Sequence, residues 1–358
     1  MKSVLIISTN GFGYEGITSV VRNYISNMNT EKLDVHFVAD SQISDDLHQV
    51  FLGLGTIHFI EKRKSSLKKY LVGLFQLLRK VRFDVVHIHG NSGTMLIEVV
   101  LAKICRVKNI IIHAHSTSTN HPIINGLLKV PMMHLADTCL ACSKAAGDWL
   151  YGKHPYIILN NAIDLNRFRF DENSRIKYRE EFGVKEEFLI GHIGHFTPPK
   201  NHFFLIDIFH EFHKLEPNSK LLLLSDGPRF QQVKAKVADL GLQDAVIFAG
   251  SRSDVAGIYS AMDFFILPSL WEGLGMVLIE AQASGLPVLA SDVVPKEAIC
   301  TECMVCKPLA DGAAEWARQV QIMKKYRHDR NFDTYTRIVE NGFDIHMEVE
   351  KLRQIYLN

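Results

Sequence analysis

Short apolar runs alternate with helical patterns along the first half of the chain, and the same alternation begins again near residue 188. Because strands that alternate with helices form parallel sheets covered on both faces, this pattern predicts an α/β fold with two sheets. The predicted strands of the first half are 3–8, 34–39, 56–60, 84–89, 109–113 and 138–143. Those of the second half are 188–193, 220–225, 245–249, 263–267 and 287–290.

The restart of the pattern also predicts where the chain divides. A length of 358 residues suits two domains that each bury a core. We expect a first domain at 1–165 and a second at 166–342. An amphipathic pattern at 347–356 predicts a final helix, so that 343–358 packs back on the first domain.

Composition narrows the class of protein. With 47% hydrophobic and 22% charged residues, the chain is typical of a soluble globular protein. A net charge of +1 gives no general attraction to nucleic acid, and we expect no nucleic-acid partner. The sequence shows neither a run of about 20 apolar residues nor the pattern of a signal peptide. We therefore expect a cytoplasmic protein.

Six cysteines include two C-x-x-C spacings, which raises the question of a zinc site. Cys139 and Cys142 fall in a predicted strand, where residues three apart point to opposite faces. No histidine lies near Cys300, Cys303 and Cys306 to complete a ligand set. We interpret all six as reduced thiols and expect no bound metal.

A glycine-rich loop follows the first predicted strand. Gly11, Gly13 and Gly16 form a G-x-G-x-x-G pattern before a helix, and Asp40 ends the second strand. This arrangement brings backbone N–H groups and a helix N-terminus close to an anion. A nicotinamide-dependent oxidoreductase is therefore one hypothesis for the chain, and a purely structural turn is another.

Two carboxylates in the second half, Glu272 and Glu280, stand eight residues apart across a predicted loop-to-helix junction. The intervening glycines allow close approach of a ligand, and the free amides at the helix start suit a diphosphate. Glu280 can accept hydrogen bonds from a ribose, and Glu272 can accept them from a sugar. The backbone contacts are expected from Gly273, Leu274, Gly275, Met276 and Val277.

The segment 263–291 resembles the E-x7-E signature of retaining GT-B glycosyltransferases, and of glycosyltransferase family 4 in particular. Four earlier segments resemble other motifs of this family and occur in the order that the family uses. They are 159–168, 193–201, 222–228 and 246–254. Within the family, the chain looks most like bacterial exopolysaccharide and capsule enzymes. The resemblance implies the GT-B fold, in which two Rossmann-like domains face each other across a cleft and the second binds the donor.

The resemblance also implies roles for individual residues. Lys200 would neutralise the donor diphosphate, and His115 would lie near the sugar and the acceptor, so that both join Glu272 as catalytic residues. His195 stands where the family usually has an arginine. Besides the residues of the E-x7-E segment, the implied donor contacts are Gly16, His195, Asp226, Gly227 and Arg252.

The activity implied is a retaining transfer of a sugar from a nucleotide diphosphate, UDP in the first place, to a hydroxyl of a glycan or lipid-linked acceptor in surface polysaccharide biosynthesis. No metal or other cofactor is expected. The alternatives are the oxidoreductase named above, a GT-B sugar-nucleotide epimerase and an inactive scaffold.

A basic segment raises the question of a membrane partner. Residues 61–83 carry eight Lys or Arg and one acidic residue around six apolar positions. One interpretation is a solvated helix packed on the sheet. The other is peripheral contact with anionic lipid, where a lipid-linked acceptor would lie.

Overall fold

The computed structural model describes residues 1–13, 16–40, 43–119, 121–325, 330 and 334–358. The chain divides into two compact units, of which the first comprises Met1–Ile163 with Asp344–Asn358 and the second Asp164–Phe343. The boundaries expected from the sequence, at 165/166 and 342/343, fall within two residues of these positions.

A seven-stranded parallel sheet forms the centre of the first unit, in the order β3-β2-β1-β4-β5-β6-β7. Its strands are β1 (Lys2–Ser8), β2 (Leu33–Ala39), β3 (Thr56–Phe59), β4 (Val85–Gly90), β5 (Asn109–Ala114), β6 (Thr138–Ala141) and β7 (Ile157–Ile158). Its helices are α1 (Gly16–Ser26), α2 (Asp45–Leu54), α3 (Leu67–Lys80), α4 (Leu96–Ile104), α5 (Pro122–Leu135) and α6 (Lys144–Tyr151).

Strand β1 shows why this sheet is covered on both sides. Successive side chains of a strand point to opposite faces, and here both faces are apolar. Leu5 and Ile7 pack into one buried cluster, whereas Val4 and Ile6 pack into the other. Each of the two clusters therefore covers one face of the central strands.

A six-stranded parallel sheet forms the second unit, in the order β10-β9-β8-β11-β12-β13. Its strands are β8 (Phe188–Ile193), β9 (Ser219–Leu224), β10 (Val246–Gly250), β11 (Phe264–Leu267), β12 (Val288–Ser291) and β13 (Met304–Lys307). Its helices are α7 (Glu172–Glu181), α8 (His202–Leu215), α9 (Phe230–Asp239), α10 (Val255–Ala261), α11 (Met276–Ala283), α12 (Ala313–Met323) and α13 (Thr334–Glu340). The predicted α/β fold with two parallel sheets is confirmed.

The last helix, α14 (Ile345–Leu357), belongs to the first unit. Its buried face presents Val349, Leu352 and Tyr356 to the cluster that also holds residues of α1. The hydroxyl of Tyr356 lies 2.6 Å from Nδ1 of His87 on β4. An apolar stripe and several polar contacts thus join α14 to the first sheet, including bonds from the side chains of Lys2 and Asn109 to backbone carbonyls of the helix.

The described cysteines carry free thiols. Cys139 lies in β6 and Cys142 follows it, and both side chains are buried. Burial raises the pKa of the Cys139 thiol to about 12 and that of Cys142 to about 11, because it disfavours the thiolate. No helix in the described part of the chain is long and apolar enough to cross a membrane.

Candidate active site

Most of the predicted donor-binding residues lie on loops that follow strands of the second sheet. The strands β8, β9, β10 and β11 run parallel, so their carboxyl ends lie along the same edge. The loops after these strands carry, in turn, Lys200, Asp226, Arg252 and Glu272.

Lys200 and Glu272 form an ion pair at this edge. Nζ of Lys200 lies 2.6 Å from Oε1 of Glu272, and both side chains are largely buried. Lys200 ends a short 3₁₀ turn, after which Asn201 adopts a left-handed conformation with φ of 53°. The stem of the lysine passes Gly194, where a Cβ would stand 3.1 Å from Cδ of Lys200. Gly194 therefore leaves room for the lysine to reach Glu272.

Ser269 contacts the same carboxylate oxygen of Glu272 as Lys200 does. The Ser269 hydroxyl donates to Oε1 of Glu272 at 2.7 Å, and the hydroxyl of Ser291 donates to the carbonyl of Ser269 at the same distance. Both serines are buried. The carboxylate of Glu272 is thus oriented by a cation and a hydroxyl before any ligand binds.

Helix α11 begins directly after this pair. Gly275 precedes it in a left-handed conformation with φ of 75°, and no side chain caps the helix start. The amide of Leu278 bonds to the carbonyl of Gly275 at 2.8 Å, so the amides of Met276 and Val277 precede the first bonded turn. A Cβ at Gly273 would meet no atom within 4 Å. This helix start can receive an anion.

Glu280 lies one turn into α11 and is held by Tyr259 of α10. The Tyr259 hydroxyl lies 2.9 Å from Oε2 of Glu280 and 3.2 Å from the carbonyl oxygen of Val277, both of which can accept from it. Burial raises the pKa of Glu280, and the hydrogen bond from Tyr259 opposes that shift. Glu280 therefore offers a partly buried, oriented hydrogen-bond acceptor.

His195 and Asp226 face each other from two neighbouring loops. Nδ1 of His195 lies 3.3 Å from Oδ1 of Asp226, and both side chains are more than half exposed. Gly227 allows the loops to meet, since a Cβ there would lie 2.7 Å from the backbone nitrogen of Phe196. The amide of Phe196 donates to the carbonyl of Asp226 at 2.7 Å.

The guanidinium of Arg252 is engaged by carboxylates. Its Nε and one terminal nitrogen bind Asp254 at 2.8 and 2.7 Å, and its other terminal nitrogen binds Glu181 at 2.5 Å. Hydrogen bonds to both acids raise the pKa of Arg252, and the bond from Arg252 lowers that of Asp254. The structure joins Arg252 to α7 and to its own loop, whereas Lys200, Glu272 and Glu280 surround the start of α11.

In the first unit, the glycine loop leads into α1, which begins at Gly16. Gly11 has φ of 81°, and a Cβ there would lie 2.7 Å from Oδ2 of Asp40. Gly13 donates to the hydroxyl of Thr18 at 3.1 Å. Tyr14 and Glu15, which complete the loop, lie outside the described residues.

His115 follows β5 and belongs to a group of four histidines. Its Nε2 lies 2.8 Å from Nδ1 of His89, and its ring centroid lies 4.1 Å from that of His113. Burial lowers the pKa of His115 to about 3, since it disfavours the charged form. His115 is therefore neutral near pH 7 and can act as a hydrogen-bonding group there.

Comparison with protein families covers both units. Residues 14–167 match the model described as glycosyltransferase family 4, and residues 174–342 match that described as glycosyl transferases group 1. The chain is a family 4-type glycosyltransferase.

Relatives and solved structures agree with this family. The glycosyltransferase EpsF of Bacillus subtilis is 29% identical over 76% of this chain and 74% of its own. The UDP-Gal:alpha-D-GlcNAc-diphosphoundecaprenol alpha-1,3-galactosyltransferase of Escherichia coli is 25% identical over 81% and 79%.

Among solved structures, a Rickettsia africae glycosyltransferase has a TM-score of 0.82 at 14% identity and covers 99% of this chain and 97% of its own. Anabaena HepE in complex with UDP has a TM-score of 0.77 at 17% identity and covers 99% of both chains. The glycosyltransferase therefore has the GT-B fold, and the family favours a transferase over the oxidoreductase and the epimerase.

The sequence analysis missed two residues that orient the two glutamates of the E-x7-E segment in this glycosyltransferase. Tyr259 and Ser269 position Glu280 and Glu272, respectively. Ser269 lies only three residues before Glu272, so its proximity was a usable signal. Tyr259 is 21 residues before Glu280, and only the packing of α10 brings them together.

Proposed function

We propose that this glycosyltransferase transfers a sugar, with retention of the anomeric configuration, from a UDP-sugar to a hydroxyl of a glycan or lipid-linked acceptor in surface polysaccharide biosynthesis. The observation that carries the proposal is the arrangement around the start of α11. There, a lysine, two oriented carboxylates and unbonded helix amides occur together at the edge of a parallel sheet.

Each group of this arrangement suits one part of a nucleotide sugar. The amides of Met276 and Val277 and the charge of Lys200 suit the diphosphate, where negative charge grows as the sugar leaves. Glu280 suits the ribose hydroxyls, because it is an acceptor one turn inside the helix. Glu272 then suits a hydroxyl of the sugar. Gly273, Leu274 and Gly275 provide the close backbone approach that binding requires.

The family resemblance suggests the remaining contacts. We propose that the amide of Gly16 contacts a phosphate of the donor, and that His115 contacts the sugar and the acceptor. His195, Asp226 and Gly227 would border the diphosphate. Arg252 would act at the nucleobase edge through the loop that its bonds to Asp254 hold in place.

The relatives support the choice of donor and acceptor. The name of the Escherichia coli relative specifies UDP-Gal as donor and a diphosphoundecaprenol-linked sugar as acceptor. HepE structures contain UDP or UDP-glucose. We extend this chemistry to the present chain because it supplies groups suited to a nucleoside diphosphate.

The proposed reaction exchanges one bond at the anomeric carbon. The bond to the diphosphate oxygen breaks as the acceptor oxygen forms its own bond, and the acceptor proton passes to the leaving phosphate. No protein nucleophile is then required. We further propose that no metal takes part, because Lys200 and the start of α11 supply positive charge at the diphosphate.

A thermal-shift comparison of UDP, GDP and NAD tests the donor class. A ligand that binds only the folded state raises the unfolding temperature. UDP should raise it in the wild type, Glu280→Gln should reduce that rise, and NAD should have no effect. A rise with NAD and none with UDP or GDP would contradict the proposal.

We also propose a cytoplasmic enzyme that contacts anionic membrane through α3 and its flanking residues. Within 61–83, six of the eight basic side chains are exposed, whereas Lys62 lies near Asp40 and Arg63 binds the buried Glu98. The apolar side chains of Leu67, Val72 and Phe75 are also exposed. Helix α4 packs on α3, helix α5 packs on α4, and both also expose apolar side chains: Val100, Ile104, Ile123, Ile124, Leu127 and Val130.

Co-sedimentation with vesicles tests the membrane surface. Vesicles that contain anionic phosphatidylglycerol should bind the wild type and release it at high salt, because each exposed basic residue contributes about 1 kcal/mol. Lys68→Glu with Lys69→Glu should abolish binding, and Lys234→Glu in the second unit should not. Equal binding to neutral vesicles would contradict an electrostatic contact.

A further inference from the structure

Three histidines lie side by side on one face of the first sheet. His87 and His89 are two residues apart on β4 and so point to the same face. His113 of β5 pairs with His89 in the parallel register. One ring nitrogen from each can be chosen so that all three lie within 4.8 Å of one another.

The hydrogen bonds around these rings leave their nitrogens available. Nδ1 of His87 is bonded to the hydroxyl of Tyr356, and its Nε2 has no partner among the described residues. Nδ1 of His89 is bonded to Nε2 of His115, which leaves the Nε2 of His89. Neither nitrogen of His113 has a partner in the described part of the chain. An unpaired buried nitrogen is costly, so Nε2 of His87 and the two nitrogens of His113, which lie close together, require an explanation.

We propose that His87, His89 and His113 bind a divalent metal ion of the kind that imidazole prefers, Zn²⁺ in the first place. The assignment is independent of the donor groups at the start of α11. It does not conflict with the proposal that sugar transfer itself needs no metal.

Several properties of the cluster suit such an ion. A His-x-His pair on one strand and a third histidine on its neighbour supply three neutral nitrogen ligands, which zinc accepts in tetrahedral sites. Tyr356 and His115 act as outer partners that fix the orientation of two of these rings, as metal sites commonly require. Binding would draw the three nitrogens towards one another, so that each could lie about 2.0–2.1 Å from the ion. A small cavity that Tyr24 and Tyr356 help to line adjoins His89 and His113, and a single water molecule is the most that it could supply as a fourth ligand.

Metal content of the full chain tests the proposal. We would express it without a polyhistidine tag in zinc-containing medium, dialyse it against a weak chelator and measure zinc by mass spectrometry. The wild type should retain about one zinc per chain, and His113→Gln and His89→Gln should retain none. His202→Gln is the matched control, because His202 is equally buried but lies against His192 of the second unit, outside the three-histidine cluster.

Cobalt substitution identifies the ligands in the wild type, even if a variant does not fold. Protein expressed with Co²⁺ should show visible ligand-field bands of a nitrogen-ligated site, and should lack the near-ultraviolet bands that thiolate ligands produce. Bound metal should also raise the unfolding temperature of the wild type but not that of His113→Gln. A wild type that retains no metal, a thiolate spectrum, or equal metal in His113→Gln would each overturn the proposal.

Discussion

Lys200 and Glu272 form an ion pair in the second unit, with the lysine Nζ 2.6 Å from Oε1 of the glutamate. Lys200, which we propose binds the diphosphate, is therefore paired with Glu272, which we propose binds the sugar, when no donor is bound. A donor must share or replace this contact, so the two residues should respond differently to substitution.

Glu272→Gln removes the negative charge that competes for Lys200. UDP should then bind at least as tightly as to the wild type, whereas sugar transfer should fall about a hundredfold because the sugar loses its orienting acceptor. Isothermal titration with UDP and steady-state kinetics measure the two effects.

Two further variants complete this test. Lys200→Met should weaken UDP binding by about tenfold, the loss expected for one charge-assisted hydrogen bond. Glu315→Gln, which removes a glutamate paired with Arg318 on α12, should change neither quantity. If Glu272→Gln weakens UDP binding as much as Lys200→Met does, the division of roles is wrong.

Tyr259→Phe tests whether the tyrosine positions Glu280. Removal of the hydroxyl that lies 2.9 Å from Oε2 leaves the carboxylate in place but free to rotate. The KM for donor should rise severalfold with little change in kcat, and Glu280→Gln should raise KM further. The control is Tyr151→Phe, since Tyr151 is a buried tyrosine of the first unit whose hydroxyl lies within hydrogen-bond distance of the backbone carbonyls of Ile112 and Leu140. A lower kcat with unchanged KM would argue against a ribose contact.

His195→Arg tests the proposed contact between this residue and the diphosphate. A histidine attracts phosphate only when protonated, whereas an arginine remains charged at every pH of interest. The dissociation constant of UDP should therefore rise with pH in the wild type and vary less in His195→Arg, which should bind more tightly at pH 8. His195→Ala should be weak throughout. The dissociation constants of the three proteins are compared as ratios between pH 5.5 and 8.5, because the titration of UDP itself cancels in a ratio. If the ratio of wild type to His195→Ala is constant over this range, His195 does not contact the diphosphate.

The sequence predicted the centre of the candidate site because that centre depends on local order. Glu272, Glu280 and the glycines between them lie on one continuous loop and helix, and Lys200 follows the central strand β8. Lys200 was assigned by the resemblance to the family, and the structure brings it to the same edge of the sheet as Glu272, because the carboxyl ends of parallel strands lie along one edge.

Contacts between segments that are distant along the chain could not be predicted from the sequence. The motif assigned Arg252 to the donor, but the side chains of Asp254 and Glu181 occupy its guanidinium, and Glu181 comes from a different helix. Strand β7 was missed because two residues are too few to show a period.

Acid should destabilise the protein through its buried histidines. His87 is fully buried, and burial lowers its pKa to about 3, whereas an unfolded histidine titrates near 6.5. Between these values the unfolded state binds the proton and the folded state does not. The free energy of unfolding should therefore be insensitive to His87 above pH 6.5 and should fall as the pH decreases from 6.5 towards 3.

Urea unfolding of wild type and His87→Gln in EDTA, from pH 8 to pH 4.5, measures this contribution. At pH 8 the variant should be less stable by a constant amount, because it loses the contact between His87 and Tyr356. At pH 4.5 the wild type should have lost roughly 2–3 kcal/mol more than the variant, since one unit of pKa difference corresponds to about 1.4 kcal/mol. The difference between the two proteins should therefore shrink or reverse in acid. A difference that is the same at every pH would mean that His87 is not held neutral by burial.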